Sequence, residues 1–125
     1  MGKFKDLRVW NDAIDLAGKI YQASRSGSFA KDFGLQNKIQ RASVAIASNI
    51  AEGDERGTNR EASHFFDIAK GSTAEVITQL IIIHRVGYIS LEELDVLENQ
   101  CEKIRASLKN LIQARGGSNS LPPPG

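Results

Sequence analysis

Leu94, Leu97, Cys101, Ile104, Leu108 and Leu111 return at intervals of three and four residues. At 3.6 residues per turn, that spacing lays a single apolar stripe along a helix. Three earlier segments repeat the pattern. Leu7, Trp10, Ile14, Ala17 and Tyr21 form one seam of a first helix, and Val9, Ala13, Leu16 and Ile20 form a second seam beside it. Leu35, Ile39, Ala42 and Ile46 mark a second helix, whose next steps are Asn49 and Gly53. Phe65, Ala69, Ser72, Val76, Leu80 and Ile83 carry a third. No segment of note alternates with the period of two that a strand requires. Four such helices hide their stripes only against one another. The expected fold is all-α, an antiparallel up-down-up-down four-helix bundle.

Local signals place the helix ends. Asp6 is positioned to cap the first helix, and Ser26-Gly27-Ser28 to end it. The second helix starts near Lys31 or Asp32 and stops before Gly57. Thr58-x-x-Glu61 and Ser90-x-x-Glu93 are capping boxes, the latter with Ile89 and Leu94 as a hydrophobic staple. Gly87 stops the third helix and Gly116-Gly117 the fourth. The links are short, so successive helices run antiparallel. Residues 1–115 are expected to form the bundle domain and residues 116–125, GGSNSLPPPG, a Gly/Ser/Pro tail.

Net charge is +1, distributed as +3 over residues 1–31 and −1 over each of 32–89 and 90–125. That is not the bulk charge of a strong polyanion binder. The lone cysteine, Cys101, precludes an internal disulfide and fits a reducing compartment. No apolar run is longer than that of Leu80–Ile83, which is far short of a membrane span. The N-terminal stretch has no continuous apolar core of a secretory signal. The expected location is therefore cytoplasmic, without a membrane partner.

Leu80-Ile81-Ile82-Ile83 constrains assembly. Four consecutive helical residues sweep about 300° of the circumference, whereas a bundle buries one stripe. At least one of these side chains must point away from its own core. The first helix, with two seams, has the same excess. Ile81, Ile82, Val9 and Leu16 are thus candidates for an interface between copies.

The stretch SNIAEGDERG, residues 48–57, places polar groups where the second helix's stripe should be buried. Counted from the turn at Gly57, Arg41 lies level with Glu75, and the two are expected to pair between helices. Glu52 can pair with Arg56 or Arg60, and Asn49 can bond to a neighbouring helix. Glu75 and Gln79 sit one turn apart. Arg41, Ser48, Asn49, Glu52, Arg56, Glu75 and Gln79 together are read as a structural polar motif that fixes helix register. Gly53 calls for a close helix approach.

Catalytic chemistry finds little support. Glu61-Ala-Ser-His64 is a single E-x-x-H, whereas a carboxylate-bridged di-metal bundle needs two. His84 lies twenty residues further along the same helix, about 30 Å away. Cys101 sits on an apolar seam, where a thiol is inert. No catalytic residue, metal or cofactor is expected. Candidate nucleic-acid contacts are Lys3, Lys5, Arg8, Lys19, Arg25 and Lys31. Arg8, Lys19 and Arg25 do not share a helix face, so a strong patch would need several copies.

The segments DLRVWNDAIDLAGKIY, GLQNKIQRASVAIASNIAEGDERG and FFDIAKGSTAEVITQL resemble the 23S rRNA intervening-sequence proteins, over about residues 4–112. The matching positions are Trp10, Arg41, Ser48, Asn49, Glu52, Gly53, Arg56, Gly71, Ser72, Glu75 and Gln79. That family is in turn similar to the accessory variability protein of diversity-generating retroelements. The resemblance implies a bacterial, cytosolic four-helix bundle assembling into a ring-like homo-oligomer, commonly a pentamer, with no catalytic roles at these positions. The expected function is that of a non-enzymatic oligomeric interaction protein, an adaptor for RNA or a protein partner. Direct RNA binding is the alternative, and a metal-dependent enzyme a more distant one.

Overall fold

The computed structural model describes residues 3–116. It contains α1 (Arg8–Ser24), α2 (Phe33–Asp54), α3 (Asn59–Arg85) and α4 (Leu91–Ala114), with 3-10 turns at Phe4–Asp6 and Gly27–Lys31. No strand occurs among the described residues. α1 packs on α2 and α4, and α3 on the same two helices, while the backbones of the diagonal pairs stay apart. The four helices therefore occupy the corners of a square.

Contacts at the helix ends fix the directions. Gln36 Nε2 donates to the Ser24 carbonyl at 2.7 Å and Gln40 Nε2 to Ser24 Oγ at 2.8 Å, so α2 begins where α1 finishes. The Tyr88 hydroxyl, just after α3, donates to Asp32 Oδ2 at 2.9 Å, beside the start of α2. Gln100 Nε2 of α4 reaches Asp15 Oδ2 of α1 at 3.0 Å. Successive helices run antiparallel. The charged Asp32 acceptor holds the Tyr88 phenol above its ordinary value.

Most ends fall where local chemistry puts them. Asp32 caps α2, its Oδ1 accepting from Leu35 N at 3.1 Å. Ser90 and Glu93 complete a reciprocal capping box on α4, each side chain bonding the other's backbone N–H at 3.0 Å. Thr58 and Glu61 form half of one: Thr58 Oγ1 accepts from Glu61 N at 3.2 Å, and the two side chains meet at 3.3 Å. Gly87 and Gly116 follow α3 and α4 in the left-handed region, at φ 87° and 90°, a conformation costly for residues with a Cβ. Residues 117–125, most of the expected tail, lie outside the described residues.

Two ends differ from expectation. Asp6 does not cap α1; it belongs to the 3-10 turn, and Leu7 occupies the cap position without a side-chain bond. Asn11 Nδ2 ties the 3-10 turn to α1, donating to the Lys5 and Leu7 carbonyls at 2.9 and 3.0 Å, and leaves the helix N–H groups uncapped by any side chain. α2 ends at Asp54 with a right-handed Glu55 as its cap, so Gly57 follows the helix without supplying a left-handed stop.

The core selects one phase from each apolar pattern. α1 buries Val9, Ala13, Leu16 and Ile20, and leaves Ile14 46% exposed. α2 buries Ile39, Ala42, Ile46, Ile50 and Gly53, which moves its stripe one position past Asn49. α3 buries Ala62, Phe66, Ala69, Thr73, Val76, Leu80 and Ile83; Phe66 and Thr73 replace the expected Phe65 and Ser72. Over 27 residues a 3-4 spacing can be laid on two adjacent faces, and packing decides between them. α4 buries Leu94, Leu97, Cys101, Ile104, Leu108 and Ile112, with Leu111 only half-buried.

Candidate interaction surface

The polar motif faces outward. Arg41, Ser48 and Glu52 are exposed along α2, as are Arg56 just after it and Glu75 on α3; Asn49 and Gln79 are half-buried. The expected Arg41–Glu75 pair does not form. Both side chains point to the outside of the chain, and Gln79 Nε2 approaches Glu75 Oε2 at 3.5 Å along α3 itself. Asn49 also stays on its own helix, its Nδ2 donating to the Ala45 carbonyl at 2.8 Å. The Glu52–Arg56 pair does form, at 2.6 Å, and places the Arg56 guanidinium 4.5 Å from the centre of the Phe65 ring. The cation thereby covers an aromatic face that the core does not bury.

Inside this stretch, the residues that fix packing are Ile50, Gly53 and Asp54. A Cβ on Gly53 would lie 2.7 Å from Phe66 Cε1 and 3.0 Å from the Ala62 carbonyl oxygen, so only glycine lets α3 come this near. Asp54 is the one buried carboxylate among the described residues, and Arg115 Nη2 meets its Oδ1 at 2.9 Å. Nothing in the local pattern singled out either partner. The available signal was that Asp54 follows Ile50 by one turn and so shares its buried face.

The interface candidates divide. Ile82 is 45% exposed and Ile81 is half-buried against the core. Val9 and Leu16 are interior residues of the single chain, at 6% and 0% exposure. They fill their own chain's core, and of the neighbouring α1 seam Ile14 is exposed while Leu7 and Trp10 pack against that core. Ile68 joins Ile82 on the outer stripe of α3, with Gly71, Glu75 and Thr78 exposed between them. On this stripe the amide oxygen of Gln79 is shielded from solvent and accepts no hydrogen bond.

The cations expected to touch nucleic acid remain scattered. Lys3, Lys5, Arg8 and Lys31 are exposed. Lys19 pairs with Asp15 at 3.4 Å, and Arg25 lies 5.3 Å from the Tyr21 ring centre. A tighter basic group that the sequence did not point to lies between α3 and α4, where Lys70, Arg105 and Lys109 line a groove. Glu61 and His64 are both exposed, and no group of three metal-ligating side chains assembles among the described residues. Cys101 is fully buried; burial first, then the nearby Glu102 and Glu98 charges, push its thiol up to about 12. It is a protonated core residue rather than a nucleophile. No helix among the described residues is long and apolar enough to cross a membrane.

A family model for 23S rRNA-intervening sequence proteins matches residues 5–110, which span all four helices up to the last turn of α4. The chain belongs to that family. The intervening-sequence fold is also seen in a crystal structure of a protein of unknown function from the S23 ribosomal protein family of Bacteroides thetaiotaomicron. That protein is similar with a TM-score of 0.77 at 22% identity, over 84% of this chain and 98% of the other. At that identity the likeness speaks for the fold. No curated protein matches the chain. In this intervening-sequence protein the motif residues thus frame an outer face across α2 and α3, and its interior is a conventional apolar core.

Proposed function

We propose that the chain is a non-enzymatic subunit of a ring-like homo-oligomer, of the pentameric kind that the family resemblance implies, acting as an adaptor for RNA or a protein partner. The observation that carries this reading is the outer stripe of α3, where Ile68 and Ile82 are 39% and 45% exposed. Apolar side chains left in water are costly, and a second copy laid along the stripe would relieve that cost. The same contact would bring Arg41, Glu52 and Glu75 into reach of a neighbour. Arg41 has no carboxylate within ion-pair distance among the described residues, which leaves it available. The protonated Cys101 supports the absence of thiol chemistry.

Sedimentation equilibrium tests this reading. A mass several times the 13.7 kDa of one chain is expected, together with collapse to a single-chain mass in Ile82→Glu at unchanged helical circular dichroism. A wild-type chain that sediments alone at micromolar concentration overturns it. Direct RNA binding is the second reading. It draws on Lys3, Lys5 and Arg8, three exposed cations at one end of the bundle without carboxylate partners among the described residues. RNA affinity that falls steeply with added salt supports it, and no gel shift at low salt removes it.

A further inference from the structure

We infer that the groove between α3 and α4 is a binding site for a phosphate-bearing anion. Lys70 of α3 and Arg105, Ala106 and Lys109 of α4 line a cavity of about 390 Å³, with Glu102 at its edge. This volume admits an inorganic or ester-linked diphosphate. Ala106 lines the groove beside the two α4 cations, which stand one turn apart on one face. Like charges at that spacing repel. Asp15–Lys19 and Glu52–Arg56, at the same spacing, are opposite in sign and pair.

Within the groove, only Arg105 has a carboxylate partner, Glu102 Oε1 at 3.1 Å, which holds its guanidinium in place. Lys70 and Lys109 make no ion pair or hydrogen bond among the described residues. The fold thus gathers three cations against one lining carboxylate in a chain whose net charge is only +1. Asp67, one turn before Lys70, is the remaining acidic group on that part of α3. A multiply charged oxyanion would answer both free ammonium groups and accept from the remaining guanidinium N–H groups in one plane. The site is separate from the α2–α3 stripe, and its test does not depend on assembly.

The experiment is a titration of the isotope-labelled full chain with inorganic pyrophosphate at low salt, followed by amide shifts and calorimetry. Saturable shifts centred on Lys70, Arg105, Ala106 and Lys109 are expected. Lys70→Ala with Lys109→Ala should weaken binding by roughly tenfold or more, through loss of two charge-assisted contacts. Lys38→Ala with Lys103→Ala removes the same charge from exposed positions outside the groove and should leave affinity unchanged. Competition by an RNA oligonucleotide at the same amides would place the phosphate on an RNA backbone. Pyrophosphate binding without RNA competition would make it a free phosphate compound. Equal weakening in both double variants, or shifts spread over all surface lysines, would overturn the site.

Discussion

The Asp54 carboxylate and the Arg115 guanidinium meet at 2.9 Å across 61 positions of sequence. They join the last residue of α2 to the residue after α4, on opposite corners of the bundle. Arg115 also lies 5.4 Å from the centre of the buried Phe66 ring. The pair closes one end of the molecule over its core. Removing one partner of a buried pair strands the other. Asp54 is 6% exposed and Arg115 26%, so solvent screens the pair in part. Arg115→Ala is expected to cost about 2 kcal/mol, below the fully buried range. Urea denaturation measures it, and a double-mutant cycle with Asp54→Asn should show coupling rather than additivity.

Gly53 and Gly18 should respond in opposite directions to alanine. At Gly53 the new methyl group meets Phe66 and the α3 backbone at 3.0 Å or less. Overpacking of that kind outweighs the helix propensity gained, for a net loss of about 1 kcal/mol or more. A methyl group on Gly18 has no foreign atom within 4 Å, so Gly18→Ala should stabilise by up to about 1 kcal/mol. Thermal midpoints moving the same way in both would contradict the close approach of α2 to α3.

The capping box at α4 is expected to matter more than the half-formed one at α3. Ser90→Ala removes the acceptor for Glu93 N, while the Glu93 side chain keeps the backbone N–H of residue 90. A loss of about 1 kcal/mol is expected. Thr58→Ala should cost less, since its bonds are longer, at 3.2 and 3.3 Å. Denaturation midpoints of the two variants, taken side by side, decide the order.

Cys101 gives the stability curve an alkaline slope. Its thiol stays protonated in the fold up to about 12, against an ordinary value of 9.0. The unfolded chain therefore loses its proton first. The contribution of this residue is intact below about pH 9 and is eroded as the pH rises toward 12. Cys101→Ala should show a flatter alkaline limb in stability measured against pH. At neutral pH a thiol reagent should label the native protein far more slowly than the denatured chain. Equal labelling rates would show that the side chain is not sealed in the core.

Helix number, order and direction were legible because they rest on short-range physics. A 3-4 apolar spacing, a serine three residues before a glutamate, or a glycine after the last apolar residue acts within one or two turns. Ser90, Glu93, Asp32 and Gly87 behave as their neighbours in sequence require. The surface was less legible. Arg41 and Glu75 are level on paper, yet neither turns toward the other, because pairing depends on how far each helix is rotated about its axis. The same rotation places Asn49 outside the buried stripe and Asp54 within it.

By itself, the sequence determined four amphipathic helices, the caps at Thr58 and Ser90 and the excess of apolar side chains that α3 cannot bury, all consequences of spacings within each segment. The tertiary structure alone decided which of two seams α1 turns inward, that Phe66 rather than Phe65 fills the space beside Gly53, and that Asp54 finds Arg115. It alone brought Lys70 beside Arg105 and Lys109. The reason is that periodicity specifies a stripe on each helix but not its angle about the axis. That angle is set when four helices compete for one close-packed interior, where volume and unpaired charge penalise every arrangement but one.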